Sequence, residues 1–89
     1  MDLEFEWDDK KNLGNIKKHK ISFETARLVF NDPMRIERVQ YVNGEERYET
    51  IGRVGDVIVV VYTLRGEVHR LITARPAERI EEEEYYGYR

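Results

Sequence analysis

The chain has 89 residues with a formal net charge of −3, 37% charged and 40% hydrophobic residues, and no cysteine. That length allows one core, expected as a single domain over 1–89, because a chain this short buries only about two thirds of its unfolded surface. Disulfides and thiolate metal sites are excluded, and no apolar run approaches the roughly 20 residues of a membrane span.

Met1-Asp2-Leu3-Glu4 lacks the basic start of a secretory signal, so a cytoplasmic protein is expected. The net charge argues against a nucleic-acid partner, but the charges are segregated. Residues 1–9 carry Asp2, Glu4, Glu6, Asp8 and Asp9, whereas residues 10–20 carry Lys10, Lys11, Lys17, Lys18 and Lys20 with no acid. The tail turns acidic again at Glu81–Glu84. A chain arranged in this way can present a basic face despite its sum.

Leu3-Glu4-Phe5-Glu6-Trp7 alternates apolar with acidic residues and reads as a half-buried strand. Asp8 caps a helix from about Asp9 to His19, whose Leu13 and Ile16 form a narrow stripe expected to face inward. Its acids stand at the positive end and Lys17, Lys18, His19 and Lys20 at the negative end, which suits the macrodipole. Ser22 opens a second, short helix through Phe23, Ala26, Leu28, Val29 and Phe30, stopped by Asn31-Asp32-Pro33.

Strand signals follow. Arg35–Val42 is irregular and charged, as at a sheet edge. Asn43-Gly44 marks a hairpin before Tyr48–Val54. Val57–Tyr62 is a continuous apolar run between turns, the signature of a central strand buried on both faces. Val68–Ala74 follows the Arg65-Gly66 turn, and Pro76 fits the first turn of a last helix to about Tyr86. The fold class is therefore α+β: an N-terminal strand, two helices on one face of an antiparallel meander sheet, and a C-terminal helix. That helix covers part of the second face and leaves a groove beside Val68–Arg75.

Arg75 breaks a local rule. It stands immediately before Pro76, at or beside the N-cap of the last helix, where a cation opposes the macrodipole. A bound anion would relieve the mismatch; so would a simple ion pair with Glu78 or Glu81, and both readings stand open. Arg70, with Val68 and Ile72 on its face by alternation, either snorkels at the sheet rim or points at a ligand. Arg65 alone is a solvated turn charge. His19 can bond the last carbonyls of its helix, and His69 alternates opposite to Arg70. Neither histidine sits in a metal-site spacing, and no cofactor motif is present.

Taken together, Phe5-Glu6-Trp7-Asp8, Lys11-Asn12, Asn15, Lys18-His19, Ile21-Ser22-Phe23, Ala26 and Val29-Phe30-Asn31-Asp32-Pro33 resemble the opening signature of the BrnT toxin family. Glu46-Arg47, Ile51-Gly52, the valine-rich strand, Arg70-Leu71-Ile72-Thr73-Ala74-Arg75, Ala77, Glu81 and Tyr85 continue the resemblance. It implies a RelE-like fold and a ribonuclease toxin of a type II toxin–antitoxin pair. The implied partner is a BrnA-like ribbon-helix-helix antitoxin, through which alone the pair would touch DNA. Two positions depart from the family pattern. Lys20 stands in place of the usual glycine, which bears on how the first helix ends, and Glu82 and Glu83 stand in a last helix that is usually more basic.

On that reading the chain is an endoribonuclease that inhibits translation and needs no metal, because the ribose 2′-OH supplies the nucleophile. Arg75 and Arg70 would hold the phosphate and His19 would move a proton, with Tyr62 as second choice. Lys11, Arg65 and Trp7 would bind the RNA backbone or stack a base, although the phase of Trp7 with Leu3 and Phe5 equally places it in the core. Two other classes remain. One is a catalytically inert interaction protein that titrates a DNA-binding antitoxin, and the other is an RNA-binding module that does not cleave.

Overall fold

The computed structural model describes residues 2–87. Its elements run β1 (Glu4–Glu6), α1 (Asp9–His19), α2 (Phe23–Ala26), a 3₁₀ turn (Arg27–Asn31), β2 (Ile36–Val42), β3 (Glu45–Val54), β4 (Asp56–Arg65), β5 (Val68–Pro76) and α3 (Arg79–Tyr86). The strands form one mixed sheet in the order β1-β5-β4-β3-β2. β2 to β5 are successive antiparallel neighbours, and β1 joins the far edge parallel to β5. β4 is the middle strand, and Val57, Ile58, Val59 and Val60 are buried from both sides, as the apolar run predicts.

The helix starts follow the sequence signals. Asp8 Oδ1 accepts from the Lys11 amide at 3.0 Å, and Ser22 Oγ accepts from the Thr25 amide at 3.0 Å. The second helix is shorter than expected, giving way to the 3₁₀ turn after Ala26. Lys20 itself takes the left-handed conformation, φ 62°, and its amide bonds Ile16 O at 2.8 Å. Helix α1 therefore ends as a glycine would end it, with a side chain in a region that disfavours one.

The expected inward stripe of α1 is wrong. Leu13 is 66% and Ile16 37% exposed, whereas Asn15 is buried. Hydrogen bonding decides the docking. Asn12 Oδ1 accepts from the Phe23 amide at 2.9 Å, and Asn15 bonds Ile21 O and both backbone groups of Ala74 at 2.8, 2.8 and 3.1 Å. Backbone groups left unpaired there would each cost about 1–3 kcal/mol, more than a half-exposed leucine gains.

One face of the sheet, the helical face, packs Ile58, Val60, Tyr62, Leu71 and Ala74 against Phe23, Ala26, Val29 and Phe30. Gly52 lets the 3₁₀ turn approach: a Cβ there would stand 2.6 Å from Val29 Cγ2. The other face packs Ile51, Val57 and Val59 under Ala77, Ile36 and Tyr85.

The last helix starts later than expected. β5 runs through Pro76, Ala77 N bonds Val57 O at 3.0 Å, and the N-cap is Glu78. Glu78 and Glu81 close a capping box, so Arg75 is a strand residue with no helix N-terminus to offer an anion. The chain's own carboxylate fills that role.

Candidate active site

β5 carries the arginines, and its geometry departs from simple alternation. On β4, Tyr62 pairs with Leu71 and Val61 pairs with Thr73, leaving Ile72 unpaired in a bulge. A bulge inserts one residue and reverses the phase of everything beyond it. Arg70 opposite Thr63 and Arg75 opposite Val59 consequently share one face, the one α3 partly covers, together with Thr73. Strict alternation would have put Ile72 beside Arg70 and sent Arg75 to the opposite side.

The arginines that β4 and β5 place on this face each meet an acid. Arg70 Nη1 lies 2.7 Å from Glu6 Oε2, and Arg65 Nη1 lies 3.8 Å from the same oxygen. Arg75 holds Glu81 with both guanidinium nitrogens, each at 2.7 Å. From the edge strand, Arg38 pairs with Glu84 of α3. The bonds from Arg75 hold the Glu81 carboxyl below its ordinary pKa against the opposing pull of burial. Reciprocally, the bond to Glu81 raises the pKa of Arg75. The side chain of Arg75 is 32% exposed and that of Arg70 27%, so both reach solvent through their pairs.

Beside the bulge lies a shallow cleft of ≈ 290 Å³, lined by Lys11, Gly14, Asn15, Lys18 and His19 of α1 and by Ile72 and Thr73 of β5. Its floor thus sits between Arg70 and Arg75 in the chain. None of Lys10, Lys11, Lys17, Lys18 and Lys20 takes part in an ion pair among the described residues. The structure therefore brings Lys11 and His19 together against the strand that carries Arg70 and Arg75, with Arg65 beside Arg70.

Two candidates go elsewhere. Trp7 packs edge-on to Phe23 with ring centroids 6.1 Å apart, against the helical core. Tyr62 is buried on the helical face, its hydroxyl 3.3 Å from Glu37 Oε1, away from the arginines. His69 also faces the helical side, as alternation predicts, among Phe5, Phe30 and Tyr62. No grouping of His, Asp and Glu able to hold a metal occurs among the described residues.

Of the acids that hold the site, sequence reasoning offered Glu81 as a partner of Arg75 but missed Glu6 and Asp32. Glu6 was legible, since period 2 puts it opposite Phe5. Glu81 stands in a run of four glutamates that reads as a solvated face, yet it is buried on Arg75. Asp32 is a third hub: Oδ2 accepts from Tyr85 Oη at 2.5 Å and the Arg53 amide at 2.8 Å, and Oδ1 from the Met34 amide at 2.8 Å. It clasps the C-terminal helix to the turn before β2.

A family model described as the ribonuclease toxin BrnT of type II toxin–antitoxin systems matches residues 7–81. Among solved structures, the crystal structure of the Brucella abortus ribonuclease toxin BrnT matches with a TM-score of 0.66 at 22% identity, over 88% of this chain and 100% of that chain. At that identity the likeness speaks for the fold. No curated protein matches the chain. With the family model spanning residues 7–81, the chain belongs to the BrnT family of ribonuclease toxins.

Proposed function

We propose that this chain is a toxin that cleaves RNA at the bulged stretch of β5, by attack of a ribose 2′-OH on the adjacent phosphorus. The observation that carries the reading is the bulge at Ile72, which gathers Arg70 and Arg75 onto one face beside the Lys11–His19 cleft. Bulges are enriched next to active sites because they re-aim side chains.

The chemistry asks for little. The 2′-oxygen forms a bond to phosphorus as the bond to the 5′-oxygen breaks, so the substrate supplies its own nucleophile and no metal is needed. Arg70 and Arg75 offer their N–H forks to the phosphorane oxygens, a term worth about 10²–10³ in rate for one donor. His19 takes the 2′-OH proton or returns one to the leaving oxygen, worth about 10²–10⁴. Lys11 and Arg65 hold the flanking backbone. In the free protein Glu6 and Glu81 occupy the forks that phosphate would take, so substrate binding exchanges one anion for another. The unit is read as one RelE-like domain, neutralised by a BrnA-like ribbon-helix-helix antitoxin and working in the cytoplasm.

The same ion pairs favour a second reading. An arginine whose fork is filled bidentately, as that of Arg75 is, serves an inert protein that only titrates its antitoxin. End-labelled RNA in EDTA separates the two. Products ending in 2′,3′-cyclic phosphate, lost in Arg70→Ala and His19→Ala, establish the enzyme. Intact RNA with tight antitoxin binding establishes the inert protein, and bound but uncut RNA establishes a blocking module.

A further inference from the structure

The two edges of the sheet are treated differently. β1 is three residues long, and where it stops Asn15 bonds both backbone groups of Ala74, so that edge is short and covered. β2 is seven residues long, Ile36–Val42, and among the described residues it has β3 on one side and no strand on the other. Soluble proteins blunt such edges with lysine, proline, bulges or shortness. β2 has no lysine and no proline, and its register with β3 is unbroken from Ile36↔Ile51 to Val42↔Glu45. On the helical face it displays Val39 and Tyr41, 52% and 73% exposed.

We propose that β2 is a self-association edge, pairing antiparallel with β2 of a second copy about a two-fold axis through Val39. The strand is complementary to itself in that register. Val39 meets Val39 of the second copy, Ile36 meets Val42, Glu37 meets the Tyr41 phenol, and Arg38 meets Gln40. No charge faces a like charge, and the exposed valines gain apolar partners. An axis through Arg38 would oppose two guanidiniums, and one through Gln40 would leave Glu37 opposite Asn43, outside the strand. Only the axis at Val39 pairs the whole of β2.

Charge also selects this occupant. β2 carries one acid and one base, Glu37 and Arg38, so its edge favours neither an acidic nor a basic segment of another protein. With the axis normal to the sheet, both arginine faces end on the same side. Arg38 of each copy then stands near the seam, so the cationic surface continues from one copy to the other.

The chain has no cysteine, so Val39→Cys introduces its only thiol. Cα atoms opposed across an antiparallel pair lie about 4.5–5.5 Å apart, within the disulfide range of about 4.4–6.8 Å. On mild oxidation V39C should link into a covalent dimer far faster than Met34→Cys, a control that is more exposed, 68% against 52%. Sedimentation velocity on the unmodified protein should show a concentration-dependent dimer, and Val39→Lys should weaken it by about tenfold or more. Val39 is exposed, so circular dichroism of V39K should match the parent. A protein that stays monomeric at every concentration, a dimer indifferent to V39K, or V39C linking no faster than M34C overturns the proposal. If the edge serves another protein's strand instead, the first of these outcomes is seen. No RNA enters the test, so it stands apart from the ribonuclease reading.

Discussion

Arg70 and Arg75 are five residues apart and yet face the same side of β5, because Ile72 between them has no partner on β4. The two arginines are held differently. The Arg70–Glu6 pair is partly solvated, so Arg70→Ala should change stability by less than about 1 kcal/mol. RNA cleavage should meanwhile fall by about 10²–10³. Urea unfolding beside a cleavage assay reads both, and a loss of activity that tracks a loss of stability would demote Arg70 to a structural role.

Arg75 sits in a tighter arrangement, with both nitrogens on Glu81 at 2.7 Å and Glu81 also accepting from the Glu78 amide at 2.8 Å. Glu81→Gln should destabilise the fold by about 2 kcal/mol, the range for hydrogen bonds to a charged group. The bonds from Arg75 outweigh burial and depress the Glu81 carboxyl; at Asp32 burial pulls upward and the bonds from Tyr85, Arg53 and Met34 outweigh it. Groups depressed on folding contribute stability that is complete above the ordinary carboxylate range and is lost as pH falls through the folded values. Unfolding free energy should therefore drop on acidification below about pH 4. E81Q combined with Asp32→Asn should flatten that limb.

Tyr85 governs the alkaline side. Its hydrogen bond to Asp32 and its burial push the phenol up to about 12. A group raised on folding contributes stability that is present below its unfolded pKa and lost as pH rises through the folded one. That contribution should be intact at neutral pH and disappear between about pH 10 and 12. Tyr85→Phe should cost about 1.5–3 kcal/mol at neutral pH and remove the late-titrating phenol from an ultraviolet pH titration.

Asn15 fixes α1 to the open stretch of β5 and so holds the cleft in shape. Asn15→Leu strips partners from Ile21 O and from both backbone groups of Ala74. A loss of about 3 kcal/mol is expected. Hydrogen exchange at the Ala74 amide should accelerate more than exchange in β4.

Lys20 offers the opposite case, a gain. Its φ of 62° sits where L side chains are disfavoured, and glycine is free to adopt it. Lys20→Gly should stabilise the protein by about 1 kcal/mol, visible as a rise in Tm with unchanged far-ultraviolet circular dichroism.

The sequence was sufficient for whatever depends on neighbours along the chain. The six-residue apolar run set β4 in the middle of the sheet, Asp8 and Ser22 announced their helices, and Asn43-Gly44, with φ 53° and 78°, announced its hairpin. Each signal is a local preference that the tertiary structure had no cause to override. The spacing of the signature residues likewise carries the resemblance to the family.

Three-dimensional packing decided the rest. Which side of α1 turns inward followed from backbone groups of Ala74 and Ile21, which lie far from or outside the helix, so no periodicity within it could show Asn15 beating Leu13. The bulge at Ile72 arises from how β5 lies against β4, and it alone puts Arg70 and Arg75 on one face. The pairing of Arg75 with Glu81 required β5 to run through Pro76, held there by Ala77 N on Val57 O. Local sequence sets the preferences of each segment, but hydrogen bonds between distant segments choose which faces meet, and the candidate site is built from those choices.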